Sequence, residues 1–239
     1  MLLRTAILNG IEAANEAVLA LANGSATTMT VITIEGLVAR SYQIGDSEAL
    51  VVGQRGLIKL QTTAHSPTGF AVEAGFLDQR EALHHEERHL VSNFLGTSDM
   101  RIDVGAGIEL QPRDTVLLAS DGLTDNVHLD EIIEHVRIGR LAESARSVVE
   151  LAASRMETRR PGQPSKPDDL SLILFRKPDR ARIIGEGRDS AGTRRPVWVP
   201  MVTIRERNDD IKHPEQPENY GGRACRPRHR VRGIAAGGL

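Results

Sequence analysis

The sequence predicts a mixed α+β domain, and three observations carry that expectation. Residues 27–34 and 37–44 leave the helical period and are rich in β-branched side chains, and 49–52 and 57–60 are short apolar runs around a Gly-flanked turn, as strands are. Residues 2–21, 129–136 and 142–156 repeat apolar side chains at three-to-four spacing, as helices with one buried face do. Residues 170–175 (LSLILF) are a short apolar run behind a Pro/Gly loop, the pattern of a buried strand.

Taken in order, Leu3, Ile7, Ile11, Ala14, Val18 and Leu21 form the stripe of an opening helix, which Asn23-Gly24-Ser25 stops. Residues 27–34 (TTMTVITI) and 37–44 (LVARSYQI) read as a hairpin turning at Glu35-Gly36. Residues 49–52 and 57–60 suggest a second hairpin around 53–56, so four strands in succession indicate an antiparallel sheet. Residues 79–95 read as a helix with Ala82, Leu83, Leu90, Val91 and Phe94 on its apolar side. Its histidines, His84, His85 and His89, lack the HExxH order of a zinc protease and read as a polar face. A strand at 100–104 and another at 114–119 follow, the second running into Ser120-Asp121-Gly122.

The 239 residues hold 40% hydrophobic side chains, enough for a sizeable core, but aromatics are scarce at 3%. The net charge of −2 is unevenly spread. Residues 179–239 carry 13 Lys plus Arg against 8 Asp plus Glu, or +5, so residues 1–178 carry −2 − 5 = −7. The basic end lacks periodic apolar partners and reads as a disordered tail, with the domain boundary at 178. A lone Cys225 excludes an intramolecular disulfide framework and fits a reducing, cytoplasmic setting. No signal-peptide pattern and no apolar run of membrane-spanning length is present.

Carboxylates recur at strand ends and turns. Asp46 follows the second strand, Asp121 and Asp125 follow the run Val116–Ala119, and Asp168 and Asp169 precede the last strand. Hard divalent cations need such oxygen ligands, and strand ends can gather them at the rim of a sheet. Each taken alone reads first as an ordinary turn aspartate, and spacing alone does not establish a metal centre.

Three segments give the set a recognisable form. Gly45-Asp46-Ser47 with Gly56-Leu57 and the Thr-rich lead to His65-Ser66 is the first, and residues 114–126 (DTVLLASDGLTDN) are the second. Residues 167–174 (PDDLSLIL) are the third. In order and spacing they resemble the protein phosphatase 2C (PPM) type of metal-dependent Ser/Thr phosphatase, across about residues 1–177. The resemblance implies a four-layer α-β-β-α sandwich of two antiparallel sheets flanked by helices, with the metals in a cleft at one end. It implies hydrolysis of phosphoserine or phosphothreonine in a protein substrate by a water that two Mg²⁺ or Mn²⁺ ions activate. Asp121 and Asp168 match ligands of the paired metals, Asp46 and Asp125 match a third, looser position, and Asp169 a secondary one.

The family's Asp-Gly pair in a DGxGG context lies upstream of the opening helix, and this sequence holds no substitute for it. The expectation is therefore a domain incomplete at its N-terminus, with weakened metal binding. Two other readings remain: a catalytically inactive relative that binds or regulates, and a binder of nucleic acid or an acidic partner through the basic tail. The lack of aromatic interleaving at 223–232 disfavours nucleic acid.

Overall fold

The computed structural model describes residues 2–176 and 202–204. Helix α1 spans Leu3–Ala20, and the hairpin follows as β1 (Met29–Glu35) and β2 (Val38–Ile44). Glu35 pairs with Val38, so the two-residue loop is Gly36-Leu37, one residue later than the sequence predicts. Gly36 takes φ +60 there, a conformation that favours glycine and fixes the register.

The next pair, β3 (Glu48–Val52) and β4 (Ile58–Gln61), does not extend the same sheet. Strand β3 turns away after Asp46 and pairs with β7 (Thr115–Ala119), which pairs in turn with β8 (Leu170–Arg176). The four successive strands are thus shared between two antiparallel sheets, because β3 finds its second partner more than sixty residues on. The first sheet is completed by two short strands, β5 (Asp103–Val104) and β6 (Ile108–Glu109), both on β2.

Strand alternation then builds four layers. Leu50 and Val52 of β3, Leu117 and Ala119 of β7 and Leu170, Leu172 and Leu174 of β8 face the helices α5 (Leu129–Val136) and α6 (Leu141–Glu157). The opposite faces meet the first sheet through Ala39, Val51, Leu110 and Val116. The first sheet's outer face, with Tyr42 and Ile44, takes Ile11 of α1, the middle of the predicted stripe. The α-β-β-α sandwich expected from the resemblance is the observed architecture.

Two segments depart from the sequence reading. The helix expected over 79–95 is broken into α3 (Gln79–Ala82) and a 3-10 turn at Glu86–His89, with irregular chain beyond. Its apolar residues are too sparse to bury a continuous stripe, and Asn93 instead ties the chain to Arg101 in both directions, at 2.8 and 3.0 Å. An unanticipated helix, α2 (Pro67–Glu73), precedes it, started by Ser66 as N-cap and Pro67 at its first position. Within the segment expected to be a disordered tail, Val202–Ile204 form an edge strand, β9, on β8. Main-chain pairing at an open edge needs no apolar periodicity, so the sequence pattern could not reveal it. The rest of 179–239 lies outside the described residues. Among the described residues no helix is long and apolar enough to cross a membrane.

Candidate metal centre

The antiparallel pairing of β7 and β8 brings the end of one and the start of the other to the same rim. Asp121 opens the short helix α4 (Asp121–Thr124) directly after β7, and Asp125 caps it. Asp168 and Asp169 lead into β8 beside them. Ser120 N donates to Ser171 O and Ser171 N to Ser120 Oγ, both at 3.0 Å, which locks the two lead-ins together. Gly122 lets them touch, since a Cβ there would overlap the Asp169 carbonyl. Gly122→Ala is expected to cost about 1–3 kcal/mol through overpacking against backbone, read as a lower urea midpoint.

Asp46 arrives from the other sheet, on the turn that carries the chain from β2 to β3. Gly45 adopts φ +99, and a Cβ there would run into Thr28, which explains glycine before this aspartate. The turn is held by buried polar groups. Gln43 Nε2 donates to Gly45 O at 2.9 Å and also to Ser47 O, while Thr30 Oγ1 donates to Ser47 O at 2.7 Å. His65 N donates to Gly45 O at 3.0 Å, and Gly45 N and Asn93 Nδ2 both face His65 Nδ1, at 3.2 and 2.8 Å.

With an N–H pointing at Nδ1, the His65 imidazole is held neutral with its proton on Nε2. Burial also pushes its pKa below the usual histidine value, against the opposing pull of Asp103 and Glu73. The folded state then binds fewer protons than the unfolded chain around pH 6. The stability margin of the native protein over His65→Gln is full above the ordinary histidine pKa and shrinks as pH falls through the folded one. Urea midpoints of the two proteins at pH 7.5 and 5.0 measure it.

Lysine 166 sits among the carboxylates. Its Nζ lies 2.6 Å from Asp125 Oδ2, 3.0 Å from Asp121 Oδ2 and 3.6 Å from Asp168 Oδ2. Burial opposes its charge, yet the bonds to Asp125 and Asp121 raise its pKa above the ordinary lysine value. Asp46 faces the same cluster. Burial, then the neighbouring Asp121 carboxylate, pushes it up to about 6. Asp125 is likewise raised by burial, against the pull of Lys166. Glu48 on β3, which the sequence reading did not single out, is pushed up to about 7 by burial, with Asp125 and Asp46 adding to it. Asp169 is exposed, and its main-chain carbonyl accepts from Ser120 Oγ at 3.3 Å.

The structure therefore gathers Asp46, Asp121, Asp125 and Asp168 at one rim and leaves Asp169 on the outside of the turn. Lys166 and Glu48 gave no signal in the sequence: Lys166 belongs to no periodic pattern or turn motif, and Glu48 reads as the polar first residue of a strand. Among the described residues no three carboxylates close on one point as a finished metal cage. The donor chemistry fits Mg²⁺ or Mn²⁺ even so: every side-chain donor is a carboxylate oxygen, and a cation, the lysine ammonium, already stands among them. A groove of about 260 Å³ opens beside the carboxylates, lined by Asp46, Glu48, Thr62, Arg88, Asp121 and Asp125 among others.

The chain is similar in sequence and fold to known proteins. Residues 62–178 match the family model of Stage II sporulation protein E (SpoIIE). The chain is 32% identical over 111 residues to a putative protein phosphatase 2C-type of Streptococcus pyogenes, covering 46% of this chain and 44% of that protein. It is 31% identical over 129 residues to the serine/threonine protein phosphatase PstP of Mycobacterium tuberculosis, covering 54% of this chain and 25% of that one. The chain thus spans less than half the length of these curated relatives. Among solved structures, M. tuberculosis PstP/Ppp superposes with a TM-score of 0.55 at 29% identity, covering 67% of this chain and 66% of that one. The phosphatase Stp1 of Staphylococcus aureus gives 0.58 at 27% identity, over 63% and 62%.

Proposed function

We propose, from the premise that the chain belongs to the protein phosphatase 2C (PPM) type of phosphatases, that it hydrolyses phosphoserine or phosphothreonine in proteins with the help of bound Mg²⁺ or Mn²⁺. The single observation that carries this reading is the convergence of Asp46, Asp121, Asp125 and Asp168 on one rim beside an open groove. Asp121 and Asp168 are the residues we assign to two paired ions, with Asp46 and Asp125 at a third position. A divalent ion held there supplies Lewis acidity toward the phosphoryl group and an activated nucleophile at neutral pH.

The chain's own groups do the rest. The groove beside the carboxylates admits a phosphorylated side chain, and the Arg88 guanidinium on its wall attracts the dianion. Arg88 is anchored by Leu83 O and by Ser165 O at 3.3 Å, so it presents a fixed charge. Thr62 and Ser66 add hydroxyls to the same wall.

The raised pKa values set the pH response. With Asp46 at about 6 and Glu48 at about 7 in the metal-free protein, both carry protons on acidification. A cation held by Asp46 needs that carboxylate ionised, and its charge favours ionised Glu48 nearby, so its binding releases protons and weakens as pH falls. Mn²⁺ affinity measured calorimetrically is expected to drop about tenfold per pH unit below pH 6 for each proton displaced. Catalysis itself is tested with a phosphothreonine peptide, Mn²⁺ and assay of released phosphate. No Mn²⁺-dependent release between pH 6 and 9 removes the enzymatic reading.

A further inference from the structure

Among the basic side chains of this protein lysine is the rare choice: Lys59, Lys166, Lys177 and Lys212 stand against many arginines. One of the four stands at the focus of the acidic rim. We propose that the Lys166 ammonium is a built-in counter-cation, which holds Asp121, Asp125 and Asp168 together in the metal-free protein and competes with a divalent ion for them. The proposal rests on the metal-dependent reading above and adds a competitor for the metal within the chain.

The position of Lys166 is fixed by its backbone. Asn126, fully buried, accepts from Lys166 N at 2.6 Å and donates to Lys166 O at 2.8 Å and to Gly122 O at 2.9 Å. The residue bearing the ammonium is thereby fastened to α4, the helix that carries Asp121 and leads into Asp125. On one side Ser165 Oγ donates to Arg155 O at 2.7 Å. On the other, Pro167 restricts Lys166 to extended backbone. The main chain cannot carry the ammonium away, so metal entry must move the side chain alone.

Electrostatics gives the ammonium its purpose. Asp46, Asp121, Asp125 and Asp168 crowd one rim, and without a cation among them their repulsion would open it. A lysine suits the task better than an arginine. Its charge is compact, as a metal ion's is, and its flexible four-carbon stem can withdraw without unmaking a planar fork of bonds. Nζ and a divalent ion cannot share the same carboxylate oxygens without strong repulsion. Occupation by one therefore opposes occupation by the other, and the chain binds metal less tightly than the same carboxylates would without the lysine.

The test uses the full chain and Mn²⁺ binding by titration calorimetry, with Lys166→Met as the variant. Removal of an opposite charge at this range is expected to tighten Mn²⁺ about tenfold or more. The metal-free melting temperature of Lys166→Met should fall below that of the native protein, and saturating Mn²⁺ should restore it. A measurement on the unsubstituted chain guards against misfolding of the variant: acetylation of Lys166 by an N-hydroxysuccinimide ester, followed by mass spectrometry. Mg²⁺ should raise the reactivity of Lys166 and leave unchanged that of Lys59, which is paired with Asp114 at 2.6 Å away from this rim. Equal or weaker Mn²⁺ binding by Lys166→Met, or a Lys166 reactivity indifferent to Mg²⁺, overturns the proposal and leaves the metal reading standing. Absence of Mn²⁺ binding to both proteins overturns both.

Discussion

Asparagine in place of Asp121 is expected to lower Mn²⁺-dependent release of phosphate from a phosphothreonine peptide more than about 100-fold. Loss of a group that merely supports a metal ligand costs about 10–100-fold, and loss of a ligand's charge costs more. The fold should survive. Asp121 is partly exposed, its one side-chain ion pair among the described residues is to Lys166, and the backbone bonds of α4 do not depend on its charge. Circular dichroism and a urea midpoint within about 1 kcal/mol of the native value would establish that. Activity retained with the fold intact would contradict the place given to Asp121 in the metal centre.

The second large effect is on stability and lies one layer below the rim. Arg155 of α6 is almost fully buried and forks onto Glu131 of α5, with Nη2 to Oε1 at 2.6 Å and Nη1 to Oε2 at 2.9 Å. Nη1 also donates to Asn126 O at 3.0 Å. Glu131 closes the capping box of α5 by accepting from His128 N at 3.1 Å. Glu131→Ala leaves a guanidinium buried without its carboxylate and removes the cap as well. The cost of stranding a buried charge is about 3–5 kcal/mol. For a domain of this size that is a fall of about 10 °C in Tm, measurable by calorimetry. Arg155→Met, which removes the charge along with its need for a partner, should cost less. The order of the two variants is the sharper test.

Much of the fold was legible in the sequence because local pattern and tertiary role coincide there. The stripe of α1, the hairpin of β1 and β2, the run entering Asp121 and the helices α5 and α6 all follow period and turn chemistry. Residues 79–95 misled because a few apolar residues at helical spacing stood in for a continuous buried face. The division of four strands between two sheets was invisible, since it depends on pairing between β3 and β7 across a long stretch of chain. At the rim, the aspartates announced themselves through their glycine and strand neighbours. Lys166 did not, because its place depends on Asn126, forty residues earlier, gripping its backbone. Glu48 was hidden for a related reason: it is an ordinary alternating position of β3 until the turn at Asp46 brings it round to the cluster.

The Gly45–Ser47 turn has a mechanical meaning as well. It is where the chain steps from one sheet to the other, whereas Asp121 and Asp168 both belong to the second. The span between Asp46 and Asp121 is therefore a measure of how the two sheets are seated on each other. Ala39, Val51, Leu110 and Val116, lying buried between the sheets, act as the spacer that sets that span. Changes in their volume would be read out at the rim as a change of gauge, before they were felt as a loss of cohesion.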